Sequence, residues 1–176
     1  MIVGGPNQSI EINVEDGACR LVSRNLKNLR FESLKAALAK LPVRNAIVDA
    51  EIVCLDEYGV SQFCHLLNRK AEPVLYAFDL LWKDGVDLRK LTLLERKKWL
   101  RDLIQKIRCD RILYAQHVEA EGKKLFGAVC SKDLEGVVAK RKLGVYKEDG
   151  NAWVKIKNPS YTQAEGRHEL LTKHKK

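Results

Sequence analysis

Short apolar segments, each ended by turn residues, run along most of this chain and predict β-strands. Turn signals such as Asp84-Gly85 follow these segments and indicate hairpin-like connections. A strand places alternate side chains on opposite faces, so each segment can bury one face and expose the other. The predicted strands are Cys19–Arg24, Ala46–Leu55, Val74–Trp82, Arg111–Val118, Val137–Arg141 and Trp153–Lys157.

Three further segments have apolar residues at helical spacing and predict helices. Phe31–Leu41 and Glu121–Ser131 are two of them, the second with Leu125, Phe126 and Val129 inward. The third starts at a capping box formed by Thr92 and Glu95. Its apolar stripe is Trp99, Leu100, Leu103, Ile104 and Ile107. This order of elements favours an α+β fold with antiparallel sheets over a parallel doubly wound fold.

The last predicted strand carries lysines at alternate positions. Lys155 and Lys157 share one face with Trp153, so that Val154 and Ile156 are expected to enter the core. Two ammonium groups on one face suit a phosphate, because lysine donates three hydrogen bonds from a point charge. A solvated strand edge that discourages aggregation is the alternative interpretation.

Carboxylates precede or interrupt two other predicted strands. Glu135 comes just before Val137–Arg141 and could hold the divalent cation that accompanies a nucleotide phosphate. Asp49 and Glu51 share one face of an otherwise apolar strand, where an unpaired charge would be unfavourable. For Glu51 a functional and a structural interpretation therefore remain equally open.

Five segments follow one another at compatible spacing: Arg20–Asn25, Asp49–Val53, Tyr76–Trp82, Glu135–Arg141 and Trp153–Lys157. Taken in order, they resemble the adenylation domain of ATP-dependent DNA ligases, in particular the ligase module of bacterial nonhomologous end-joining proteins. The likeness runs from roughly Val14 to Lys157. It implies an α+β nucleotidyltransferase core, ATP-grasp-like, with antiparallel sheets flanked by helices and the nucleotide between two sheets. It also implies ATP and Mg²⁺ as cofactors.

The resemblance also implies catalytic roles. Lys155 and Lys157 would neutralise charge that develops on the transferred phosphate, and Glu135 would position the metal. Arg24 would orient phosphates of the nucleotide or of the nick.

The resemblance implies a nucleotide pocket as well. Glu51 would belong to that pocket, with Asp49 as a supporting structural group. Phe78 would stack on adenine, although an aromatic residue in a strand is by itself typical of the core.

The family's nucleophilic lysine, in a K-x-D-G motif, is not found in this sequence. No lysine precedes Lys27, and counting back from Glu15-Asp16-Gly17 puts the expected position near Gly4. We therefore expect no self-adenylylation by this chain. A truncated gene, a misread start and a lost first step all remain open as explanations. The segment after Lys157 is too short for the OB-fold domain that continues full-sized ligases.

Charge and composition further predict a binding partner and a cellular location. The net charge is +9, and residues 140–176 contribute ten Lys/Arg against four Asp/Glu. Such an excess suits nicked or broken duplex DNA, whose phosphates bind cations without regard to sequence. We expect no membrane contact and a cytoplasmic location, because no apolar run of spanning length and no signal peptide is present.

The sequence thus predicts a partial ligase adenylation domain over residues 1–160 and a basic tail over 161–176. Its function would be nick sealing in DNA repair and recombination, with other end-joining repair proteins as candidate partners. A non-catalytic nucleic-acid-binding remnant of a ligase is the alternative. The alternative explains the basic excess and the missing motif together, but not the retained pocket residues.

Overall fold

The computed structural model describes residues 2–3, 9–59, 61–62, 65, 72–147 and 153–162. The segment 4–8, around the expected position of the family nucleophile, and the basic tail after residue 162 lie outside the described residues. In the described ranges the chain forms two β-sheets and three helices.

The larger sheet has six strands. Their spatial order is β3-β2-β4-β5-β6, and β7 pairs with β5 off this path. All pairs in this sheet are antiparallel except β5 with β7, which is parallel. The strands are β2 (Ser9–Glu15), β3 (Ala18–Ser23), β4 (Asn45–Cys54), β5 (Pro73–Lys83), β6 (Val86–Asp87) and β7 (Ile112–Tyr114).

The smaller sheet has three antiparallel strands in the order β1-β8-β9. They are β1 (Ile2–Val3), β8 (Gly136–Lys140) and β9 (Trp153–Lys157). The predicted α+β class with antiparallel sheets is therefore confirmed. The predicted burial of Val154 and Ile156 is wrong, because they are 63% and 37% exposed.

Three helices accompany the sheets: α1 (Glu32–Leu38), α2 (Leu93–Ile104) and α3 (Gly122–Ser131). None of the helices in the described part of the chain is long and apolar enough to cross a membrane. The capping box is confirmed, because the Thr92 side chain accepts from the Glu95 backbone and the Glu95 carboxylate accepts from the Thr92 backbone. In α3 only Val129 is fully buried.

The buried face of α2 differs from the predicted stripe. Leu100 and Leu103 are buried as expected, but Trp99 is 48% exposed. Arg96 and Lys97 lie on the buried face instead, each 2% exposed. The buried face is shifted from the predicted one because Arg96 and Lys97 donate hydrogen bonds to Asp79 and to a backbone carbonyl inside the protein.

One hydrophobic core joins the large sheet to α1 and α2. Alternate residues of β2 and β4, such as Ile12 and Val48, are buried in it together with Leu34 and Leu100 of the helices. This leaves the opposite face of the large sheet for contacts with the smaller sheet and the segment after β8. Side chains on that face build the site described next.

Gly136 fixes how closely β8 and β9 approach. Its φ is +154°, and a Cβ added there would lie 2.3 Å from the carbonyl oxygen of Ile156. We expect Gly136→Ala to lower the free energy of unfolding by at least about 2 kcal/mol, because β9 must shift and the backbone is strained. Chemical denaturation checks this.

Gly127→Ala in α3 is the matched control, because an added Cβ there meets nothing within 4 Å. Alanine should stabilise that helix by about 0.5–1 kcal/mol. Equal stability of the Gly136→Ala variant and the wild-type protein would contradict the proposed close contact.

Candidate active site

The charges of five of the six predicted site residues act together at Lys155. The pKa of Lys155 is held below its ordinary value first by loss of solvation and then by the positive charge of Arg24. Glu135 and Glu51 raise the pKa of the same ammonium, whereas Lys157 lowers it. Each of these charges must be close enough to be felt at Lys155. The structure therefore brings together residues of β4 and β9 with the residue before β8 and the residue after β3.

Strand register explains part of this assembly. Lys155 pairs with Val138, and Lys157 pairs with Gly136, directly after Glu135. The backbone N–H of Asn158 donates to the carbonyl oxygen of Glu135 at 2.8 Å. Glu135 and Lys157 are thus fixed at one end of the β8–β9 ladder, and Lys155 lies two residues further along the same strand.

Glu51 reaches the site from the large sheet. It is 9% exposed and sits in the middle of the sheet, between Ser9 of β2 and Tyr76 of β5. Its position on the face that carries Asp49 agrees with the predicted alternation along β4.

Asp49 lies two residues from Glu51 on β4 and is partly buried. The Tyr146 hydroxyl donates to its Oδ2 at 3.3 Å. Burial, followed by repulsion from Asp79, raises the pKa of Asp49 to about 7. Asp49 therefore lies beside the candidate site, on the same face of β4 as Glu51, and its supporting role stays a prediction.

The sixth predicted residue, Phe78, lies in a β-bulge. Asp49 pairs with Asp79 while the next residue, Ala50, pairs with Ala77, so Phe78 is the extra residue of β5. The ring is 8% exposed, and the Lys140 ammonium lies 4.5 Å from its centre. Phe78 is thus at the junction of the two sheets.

A buried ionic cluster next to the bulge was missed by the sequence analysis. Arg96 Nε donates to Asp79 Oδ1 at 2.7 Å and its Nη2 donates to Oδ2 at 3.0 Å. Lys140 Nζ lies 3.8 Å from the same Oδ2. Arg96 was detectable in principle, because it lies three residues after Leu93 and four before Leu100 on the apolar face.

Lys97 is a second buried cation on α2. Its ammonium donates to the carbonyl oxygens of Ala115 at 2.9 Å and of Phe78 at 3.4 Å, and lies 4.5 Å from the Tyr114 ring centre. Loss of solvation lowers its pKa to about 8. Lys97 therefore ties α2 to the backbone of the Phe78 bulge.

The two carboxylates near Lys155 could hold a divalent cation only if a bound nucleotide supplied further ligands. Within the ranges that the structure describes, no three His, Cys, Asp or Glu residues are grouped as a metal site. Glu135 and Glu51 both lie near Lys155. Mg²⁺ commonly uses one or two carboxylates, substrate phosphates and water. His117 contacts Glu119 and Tyr114 and is not part of this arrangement.

Comparison with known proteins agrees with this architecture. The family described as "ATP dependent DNA ligase domain" matches residues 8–157. The multifunctional non-homologous end joining protein LigD of Pseudomonas aeruginosa is 34% identical over 152 residues, which are 82% of this chain and 18% of that protein.

Solved structures of ligase domains are also similar to this chain. The ligase domain of M. tuberculosis LigD superimposes with a TM-score of 0.76 at 28% identity, covering 89% of this chain and 52% of that one. A mycobacterial DNA ligase D complexed with ATP and MES also has a TM-score of 0.76 at 28% identity, with 88% and 52% coverage.

The chain therefore belongs to the ATP-dependent DNA ligase domain family, with a nucleotidyltransferase core. It spans about a fifth of the length of the curated LigD relatives and about half of the solved LigD ligase domains.

Because the pKa of Asp49 is raised to about 7, the free energy of unfolding should depend on pH. Between the unfolded pKa near 3.9 and this folded value, the folded protein keeps a proton that the unfolded chain has lost, so stability falls as pH rises. Asp49→Asn should remove this dependence. At pH 8 its free energy of unfolding should therefore exceed that of the wild-type protein by at least about 1 kcal/mol.

Urea unfolding of both proteins at pH 4 and pH 8 measures the effect. Asn still accepts from Tyr146 through its side-chain oxygen, so the two proteins should differ little at pH 4. A difference of the same size at both pH values would show that Asp49 does not titrate as described.

Proposed function

We propose that this chain is the adenylation domain of an ATP-dependent DNA ligase that seals nicks by nucleotidyl transfer in DNA repair and recombination. The supporting observation is that Lys155 and Lys157 lie on one face of β9 close to Glu135, and that the charges of Arg24 and Glu51 also act on Lys155. A site with three cations and two carboxylates suits a magnesium-bound polyphosphate. Nothing in the comparisons or in the described residues favours the non-catalytic alternative.

In the reaction of this family a lysine amine attacks the α-phosphate of ATP and pyrophosphate leaves. The AMP then passes to the 5′-phosphate of a nick, and the 3′-hydroxyl displaces AMP as the strand is sealed. Lys155 and Lys157 would hold the negative charge that grows on the phosphate, and Arg24 would orient neighbouring phosphates. Phe78 would stack on the adenine ring, with Glu51 inside the nucleotide pocket.

Mg²⁺, when bound with ATP, would withdraw charge from the phosphate oxygens. Glu135 would hold that ion, and the phosphates would supply further ligands. The DNA partner is a nicked or broken duplex, and other end-joining repair proteins are candidate partners. Residues 1–160 would form the partial adenylation domain and 161–176 a basic tail.

The 176-residue polypeptide, tested as it stands with labelled ATP and Mg²⁺, should form no covalent AMP adduct, because no lysine precedes Lys27. Acid-quenched gel analysis measures the adduct. A labelled, acid-stable adduct that maps to a lysine of this polypeptide would refute the prediction.

Joining a family segment with K-x-D-G ahead of residue 9 should restore adenylylation if the pocket is functional. In that extended protein, Lys155→Ala and Lys157→Ala should each lower the rate by roughly 10²–10³-fold, because one preorganised cation beside the phosphate is lost.

The control is Lys124→Ala, which removes an 83% exposed lysine on α3. It should change the rate by less than about twofold, as for ordinary surface substitutions. Single-turnover adenylylation measures all three variants. Equal rates for Lys155→Ala and Lys124→Ala would assign Lys155 to a solvated strand edge and overturn the proposed site.

A further inference from the structure

Lys140 connects the two sheets through aromatic and ionic contacts. Its ammonium lies 4.5 Å from the ring centre of Phe78 on the large sheet and 4.4 Å from that of Trp153 on the small sheet. It also lies 3.8 Å from Asp79 Oδ2. Only 10% of the Lys140 side chain is exposed. Contacts of this kind are strongest when water is excluded.

The bulge in β5 makes this set of contacts possible. Phe78 and Asp79 are consecutive residues, and in a regular strand their side chains would point to opposite faces. The extra residue at Phe78 lets one ammonium reach both the ring and the carboxylate. On the other side, Lys140 pairs directly with Trp153 across the β8–β9 ladder.

The charge of Lys140 is not needed to neutralise Asp79. Arg96 already binds both carboxylate oxygens of Asp79, and the Arg96 side chain is 3% exposed. The Lys140 ammonium therefore acts on the two rings as well as on Asp79. Its position fixes the orientation of Phe78 relative to the small sheet.

We infer that Lys140 is a positioning residue for the nucleotide base, which holds Phe78 against the small sheet so that the ring presents a fixed stacking surface. This inference rests on the proposed function, because it takes Phe78 to stack on adenine. Lys140 acts through Phe78 and does not itself contact the phosphates. Its loss should therefore affect ligands that carry a base and spare those that do not.

Calorimetric titration of the full chain with ATP and with tripolyphosphate, both with Mg²⁺, tests the inference. Lys140→Met keeps the apolar stem and removes the ammonium. It should weaken ATP binding about tenfold and leave tripolyphosphate binding unchanged. Lys155→Ala should weaken both ligands, because it removes a phosphate contact.

Two further variants sharpen the result. Lys140→Arg should restore ATP affinity, because a guanidinium can also lie over the rings and pair with Asp79. Lys124→Met removes an exposed charge and should change neither affinity. ATP affinity unaffected by Lys140→Met, equal losses for both ligands, or no recovery with arginine would each overturn the inference.

Hydrogen exchange of the ligand-free chain separates this inference from the proposed function. Lys140→Met should speed amide exchange several-fold in β8 and β9 but not in the buried turn of α2 around Leu100. Unchanged exchange would overturn the link between the sheets. A wild-type chain that binds neither ATP nor tripolyphosphate would refute the proposed function, whereas the exchange result would still decide whether Lys140 joins the sheets.

Discussion

The ion pair of Asp79 and Arg96 is the interaction on which the arrangement of the site depends. Both side chains are almost fully buried, and the guanidinium binds both carboxylate oxygens. Removing one partner would leave a buried charge, at a cost of about 3–5 kcal/mol. The pair therefore fixes α2 against β5 at the bulge, and Lys140 reaches the same carboxylate from the small sheet. One buried carboxylate thus connects three elements.

The geometry of the candidate site follows from the position of the small sheet. Gly136 allows β9 to approach β8 closely, and the register then places the lysines of β9 beside Glu135. Glu51 comes from the middle of the other sheet. A shift of one residue in the β8–β9 ladder would turn Lys155 to the opposite face. The site is consequently a property of both sheets and of the distance between them.

Much of the fold and of the candidate site could be predicted from the sequence, for identifiable reasons. Alternation along β4 and β9 predicts which residues share a face, so Lys155 was correctly grouped with Lys157. Alternation does not say which face is covered, and therefore the burial of Val154 and Ile156 was mispredicted. The bulge at Phe78 cannot be recognised from hydrophobic pattern, because it depends on pairing with β4. The buried position of Arg96 likewise depends on a partner 17 residues away in sequence.

The charge balance around Lys155 bears on what the site can bind. Loss of solvation and the nearby positive charges lower the pKa of Lys155, although Glu135 and Glu51 oppose that shift. The cations are thus closer together than their mutual repulsion favours. An anion placed among them would relieve this repulsion and would gain from fixed donors that need no reorganisation.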